Sequence, residues 1–69
     1  MIATDPEELL LADEVEIITR VPVKTLAWWR STGGGPTFFH LGRRVVYRRG
    51  AVMAWLGEQE RAERARKTA

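Results

Sequence analysis

The chain has no cysteine and a single histidine, His40. Without cysteine, neither a disulfide nor a thiolate metal site can staple the fold. One histidine does not supply the several ligands a metal centre needs, so no metal is expected. No apolar run approaches the roughly 20 residues of a membrane span. Residues 1–3 lead directly to acids, so no secretory signal is expected. The absence of cysteine fits a reducing cytoplasm. No serine stands at a suggestive spacing from a histidine and an acid. Gly33-Gly34-Gly35 lacks the following Lys-Ser/Thr of a phosphate loop. These absences leave no catalytic residue and no cofactor site, and they point to a non-enzymatic protein.

The most informative absence is that of acids between residues 20 and 49. That stretch holds seven cations: Arg20, Lys24, Arg30, Arg43, Arg44, Arg48 and Arg49. Residues 1–19 hold six acids and no base, and residues 50–69 hold four bases and three acids. The net charge of +2 conceals this segregation. A basic face for a polyanion is the physical reading.

At 69 residues the chain is one small domain. Such a chain buries only about 60% of its unfolded surface. Trp28, Trp29 and Trp55 supply much of the area available for a core.

Residues 4–8 read as a helix start within a short N-terminal arm of residues 1–10, with a frayed terminus as the alternative. Asp5 would cap, Pro6 would take the first helical position and Glu8 would reach back. A first helix is expected from Ala12 or Asp13 to about Thr19. Its acids favour the positive end of the dipole, and Leu11, Val15 and Ile18 form the buried stripe. Ile17 lies off that stripe. Pro22 opens a second helix to about Ser31, with Val21, Leu26 and Trp29 inward. Val23, Lys24, Ala27, Trp28 and Arg30 then face outward. The Gly33–Pro36 run stops the helix.

Two β-rich runs, 38–41 and 45–48, are joined by Gly42-Arg43-Arg44 as a tight turn. A lone hairpin is unstable, so it must lie on the helices, with Phe38, Leu41, Val45 and Tyr47 as anchors. A third helix is expected from about Gly50, with Val52, Trp55 and Leu56 inward. Residues 58–69 read as a polar helical tail, fraying toward its basic end and supported by pairs such as Glu60–Arg64.

The run Glu14-Val15, Val21, Lys24-Thr25-Leu26, Trp29-Arg30, Gly33, Gly35-Pro36, Phe38, Leu41-Gly42-Arg43-Arg44-Val45, Tyr47-Arg48 and Ala54-Trp55-Leu56 resembles a known family. It is similar to the small MerR-superfamily winged helix-turn-helix proteins, and within them to excisionases (recombination directionality factors) and AlpA-like regulators. The resemblance covers about residues 10–57. It implies a mainly α fold: a helix-turn-helix, a two-stranded wing and a C-terminal helix, with the DNA-binding domain over residues 11–57.

It also implies roles. Lys24, Thr25, Ala27 and Trp28 would lie on the recognition-helix surface and Arg43 and Arg44 at the wing tip. By their positions in the chain, Val23 and Arg30 join the helix candidates and His40 the wing candidates. Arg20 and Arg48 would be candidate phosphate contacts, although Arg20 has Glu16 one turn back as a rival partner. Trp29 and Trp55 would be core. Trp28 would pack under the wing, stack near the backbone or meet a neighbouring copy.

Three positions depart from the family pattern. Glu16 stands where a small residue is common, Arg20 where glycine is common, and Pro22 where a capping serine is common. Loss of that serine removes a cap of about 1 kcal/mol.

The implied function is double-stranded DNA binding in a bacterial cytoplasm, as an excisionase on repeated sites. Copies would sit head-to-tail on the DNA, acidic helix against basic wing, with an integrase as partner. A regulator on one operator is the alternative on the same fold. Against an ordinary dimeric MerR-type activator, no sustained heptad follows Leu56. An interaction module, an antitoxin or phage inhibitor using acidic residues 5–16, is the reading from another class.

Overall fold

The structure, a computed structural model, describes residues 5–68 and side chains to residue 67. Residues 1–4 of the expected arm and Ala69 of the expected tail lie outside the described residues. Three helices and a small antiparallel sheet follow in the order β1 (Leu9–Leu10), α1 (Ala12–Thr19), α2 (Val23–Thr32), β2 (Phe39–Leu41), β3 (Arg44–Arg48) and α3 (Arg49–Thr68). The sheet order is β1-β3-β2, so β3 is central.

The helix expected to start at residues 4–8 is not there. Asp5 instead makes a local turn: its carboxylate accepts from Glu7 N at 2.9 Å and its carbonyl from Glu8 N at 3.0 Å. Aspartate favours this alternative to a helix because its short side chain reaches the backbone two residues on. The chain leaves the turn as β1, pairing Leu9 with Arg48 and Leu10 with Tyr47. Strand β1 therefore falls inside the segment read as an arm. The same turn caps α3: Arg49 N donates to Glu8 O and Gly50 N to Pro6 O, each at 2.9 Å. These two bonds satisfy amides that open a helix and have no partner within it.

Helix α1 keeps the expected bounds. Leu11, its N-cap, has no side-chain oxygen, so half a capping box forms: Glu14 Oε1 accepts from Leu11 N at 2.7 Å. Helix α2 runs one residue later than expected at each end. It stops at Gly33, whose φ of 97° is left-handed and whose N–H returns to Trp29 O at 2.7 Å. Gly35 has a second reason to be glycine. Its φ is +79°, and a Cβ there would lie 2.7 Å from Trp29 Cε3. The breaker thus folds back over the Trp29 ring.

The hairpin is tighter than expected. Leu41 pairs with Arg44, leaving a two-residue loop of Gly42 and Arg43. Only Gly42 takes a positive φ, 62°, as a type II′ turn requires at its first loop position.

The core cluster consists of Leu10, Val15, Leu26, Tyr47 and Val52, with Ala12, Ile18, Val21, Trp29, Phe38 and Val45 packed around it. Val45 and Tyr47 anchor the hairpin and Phe38 supports it, as expected. Leu41 does not: it is 51% exposed. Direct partners share a sheet face. Leu41 is therefore on the face of Arg44, Phe39 and Val46, of which only Val46 is buried (4% exposed), opposite the face of Leu10 and Tyr47. Leu11 is only half-buried. Trp29 and Trp55 are half-buried and meet at a centroid distance of 5.5 Å, tilted by 57°.

Helix α3 is unbroken through Gly57 and continues to Thr68. Residues 58–67 are exposed, and Glu60 pairs with Arg64 at 2.9 Å as expected.

Candidate nucleic-acid interface

Helix α2 and the hairpin carry most of the candidate side chains, and local chemistry positions both. Three connected features set α2. Arg20 ends α1 in the left-handed conformation, φ 65°, with its N–H on Glu16 O at 2.7 Å. Pro22 fixes the entry to α2 as its N-cap residue but offers no side-chain acceptor. The carboxylate of Glu16, from α1, takes that place: its Oε1 accepts from Val23 N at 3.0 Å. An anion at the positive end of a helix is favourable twice over, as acceptor and as charge. Glu16 and Pro22 therefore answer one another: the carboxylate supplies the acceptor that the proline lacks. The expected rivalry over Arg20 resolves the same way, since the Glu16 carboxylate bonds Val23 and Arg20 has no ion-pair partner among the described residues.

On α2, Val23, Lys24, Ala27 and Trp28 are exposed, and Thr25 is half-buried. Trp28 is 62% exposed, so it does not pack under the hairpin, which removes one of the three roles weighed for it. Arg30 differs from its expected outward position. It is half-buried, Nη1 donates to Tyr47 Oη at 2.7 Å, and the guanidinium lies 6.0 Å from the Phe38 ring centroid. Arg30 thus ties α2 to β3. A tyrosine hydroxyl whose ring is buried needs such a partner, and the arginine fork supplies it.

On the hairpin, Arg43 and Arg44 are exposed at the tip with no ion-pair partner among the described residues. His40 is exposed and meets Phe38 edge-on at 5.8 Å. Among the described residues no group of histidine and acid side chains is placed to hold a metal. Arg48 has three partners within the chain: the Glu7 carboxylate at 3.7 Å, the Glu7 carbonyl, and the Phe39 ring at 5.6 Å. Arg49 pairs with Glu8 at 2.7 Å. The fold thus folds part of the acidic segment onto part of the basic one. Within residues 20–49 the cations without acid partners are Arg20, Lys24, Arg43 and Arg44, on the α1–α2 turn, on α2 and at the hairpin tip, together with Arg30, which is held by Tyr47 instead.

Three positions escaped the sequence reading. The Glu16 cap spans seven residues and two helices, beyond the reach of a capping-box pattern. The Arg30–Tyr47 bond joins residues 17 apart. Strand β1 did leave a signal, the apolar run Leu9-Leu10-Leu11 two residues after a turn-forming Asp5-Pro6.

Among the described residues no helix is long and apolar enough to cross a membrane. No family model, no curated protein and no solved structure matches this chain.

Proposed function

We propose that the chain is a winged helix-turn-helix protein that binds double-stranded DNA, with α2 in the major groove and the β2–β3 hairpin as the wing beside it. The observation that carries this reading is the distribution of unpaired cations. Lys24 on α2 and Arg43 and Arg44 on the hairpin tip face solvent without acid partners, while Arg48 and Arg49, nearer the acidic arm, are paired. Unpaired lysine and arginine on one stretch of the chain release counterions from a phosphate backbone, which drives association. An arginine at a wing tip suits a phosphate or a narrow minor groove.

The role proposed is that of an excisionase. It binds repeated sites at an attachment region and directs an integrase toward excision. One small domain makes few base contacts, so neighbouring copies supply affinity. Ile17, 73% exposed between the exposed acids Asp13 and Glu14 one turn back, gives α1 an apolar and acidic surface. Leu41 with Arg43 and Arg44 gives the wing an apolar and basic one. A head-to-tail contact between the two is heterologous and need not close, so it extends along DNA.

The test is selection from random-sequence duplexes at two salt concentrations, with sequencing of the bound fraction. Tandem same-direction repeats are the expected result. A single or palindromic site would replace the excisionase with a regulator on one operator. No salt-dependent retention of any duplex would remove the DNA reading in favour of a protein-interaction role.

A further inference from the structure

The outward surface of α2 is poor in groups that can hydrogen-bond a base. Its exposed residues at 23, 24, 27, 28 and 31 fall at i, i+4 spacings and lie on one side of the helix. Val23, Ala27 and Trp28 are apolar. Ser31 Oγ donates to Trp28 O at 2.8 Å and Thr32 Oγ1 to the same carbonyl at 3.1 Å, so both hydroxyls are turned to the helix backbone. Arg30 is held by Tyr47. Lys24 and the indole N–H of the exposed Trp28 are the donors of this surface not committed to a hydrogen bond within the described residues. Large apolar groups exposed together on a small domain mark a contact surface.

The occupant follows from charge and chemistry. Lys24 lies within the patch and residues 20–49 contain no acid. The one carboxylate brought to its Val23 end, Glu16, is committed to the Val23 N–H, so the rest of the patch suits a polyanion. In the major groove, bases offer donors, acceptors and one apolar group, the C5-methyl of thymine. The apolar faces of valine, alanine and tryptophan find their complementary base feature there, while the Trp28 indole N–H adds one donor at the edge of the patch. We infer that α2 selects DNA by packing Trp28, with Val23 and Ala27, against thymine C5-methyl groups, while Lys24 takes an adjacent acceptor or phosphate. This rests on α2 being the helix that enters the groove. It gives that helix a preference for A·T pairs at the contacted steps and makes Trp28 a specificity-determining residue.

The experiment compares a selected duplex with the same duplex carrying deoxyuridine in place of thymidine. Base pairing is kept and only the methyl groups are removed. Binding to the uridine duplex is expected to weaken by about fourfold for each methyl contacted, the factor that burial of one methyl carries. In Trp28→Gln the ratio between the two duplexes falls toward one while the salt slope stays as in the wild type. Trp28 is exposed, so this variant folds, which its thermal melt verifies; Val23→Ala, which narrows the ratio less, is the second variant. Equal affinity of the wild type for both duplexes overturns the inference and leaves DNA binding standing. So does a ratio that persists unchanged in both variants, since the methyl groups are then read elsewhere. Failure to retain either duplex at low salt overturns the DNA reading itself, and the inference with it.

Discussion

The carboxylate of Glu16 accepts a hydrogen bond from the backbone N–H of Val23 at 3.0 Å, so one helix caps the next across the turn. Because Pro22 brings no side-chain oxygen, this bond is what replaces an ordinary N-cap. It also fills the position at the start of α2 where a phosphate would otherwise be attracted.

Glu16→Ala is expected to lose about 1 kcal/mol of stability, the usual value of an N-cap. In a domain this small that lowers the melting temperature by roughly 4–8 °C. Pro22→Ser should recover most of the loss in the Glu16→Ala background and much less in the wild type. Denaturant melts of the four proteins check this. Additive effects would mean that the two residues do not share the capping role.

Arg20 occupies the left-handed region at φ 65°, where a Cβ crowds the following carbonyl. Arg20→Gly is therefore expected to raise stability, by about 1 kcal/mol after glycine's own entropy is discounted. A melting temperature at or below that of the wild type would show that the arginine side chain makes an offsetting contact.

Arg43→Ala combined with Arg44→Ala is expected to weaken DNA binding across sequences and to lower the salt slope by about 2, each lost phosphate contact contributing roughly 0.9. Arg48→Ala is expected to leave the slope near the wild-type value, since its guanidinium is held by Glu7 and Phe39. Affinities measured over a salt series separate the two. An unchanged slope in the double variant would take the wing out of the interface.

The paired tryptophans separate by burial. Trp29→Ala is expected to cost about 3 kcal/mol, the low end for a large aromatic because the ring is half-buried. Trp28→Ala should change stability by less than about 0.5 kcal/mol, as for other surface positions. Equilibrium unfolding of both variants decides it, and equal costs would contradict the assignment.

Gly35→Ala is expected to destabilise by about 2 kcal/mol, because it combines a positive φ with a close approach to the Trp29 ring. Gly42→Ala meets no neighbour within 4 Å and carries only the backbone penalty, so it should cost less. A larger loss at Gly42 than at Gly35 in the same melt would mean that the Trp29 contact is not what constrains residue 35.

Much of this was legible along the chain, and the failures share a cause. The bounds of α1, the entry to α2 set by Pro22, its stop at Gly33 and the Gly42 turn all rest on interactions within about four residues. Proline geometry, glycine φ and helical periodicity act at that range. Tyr47 and Val45 were legible as hairpin anchors because alternation in β3 is a local pattern. Leu41 was not, because its face depends on register with Arg44, and register is set by the pairing of two strands. In the candidate site, the exposure of Lys24, Arg43 and Arg44 followed from helix and turn position. The commitment of Arg30 and Arg48 to partners inside the chain did not.

Helix-forming stretches, breaks and the separation of acidic from basic segments are properties of neighbouring residues, and the order of amino acids settles them. Which charges remain available is a different matter. Glu7 and Glu8 reach Arg48 and Arg49 across 41 residues because Leu9–Leu10 adds a strand to β3. Arg30 is drawn to Tyr47 because burying that ring leaves its hydroxyl in need of a partner. Contacts so far apart form only once loop closure is offset by burial of the shared core. It was the fold, therefore, that reduced seven basic residues to the few left unpaired on α2, its turn and the hairpin tip.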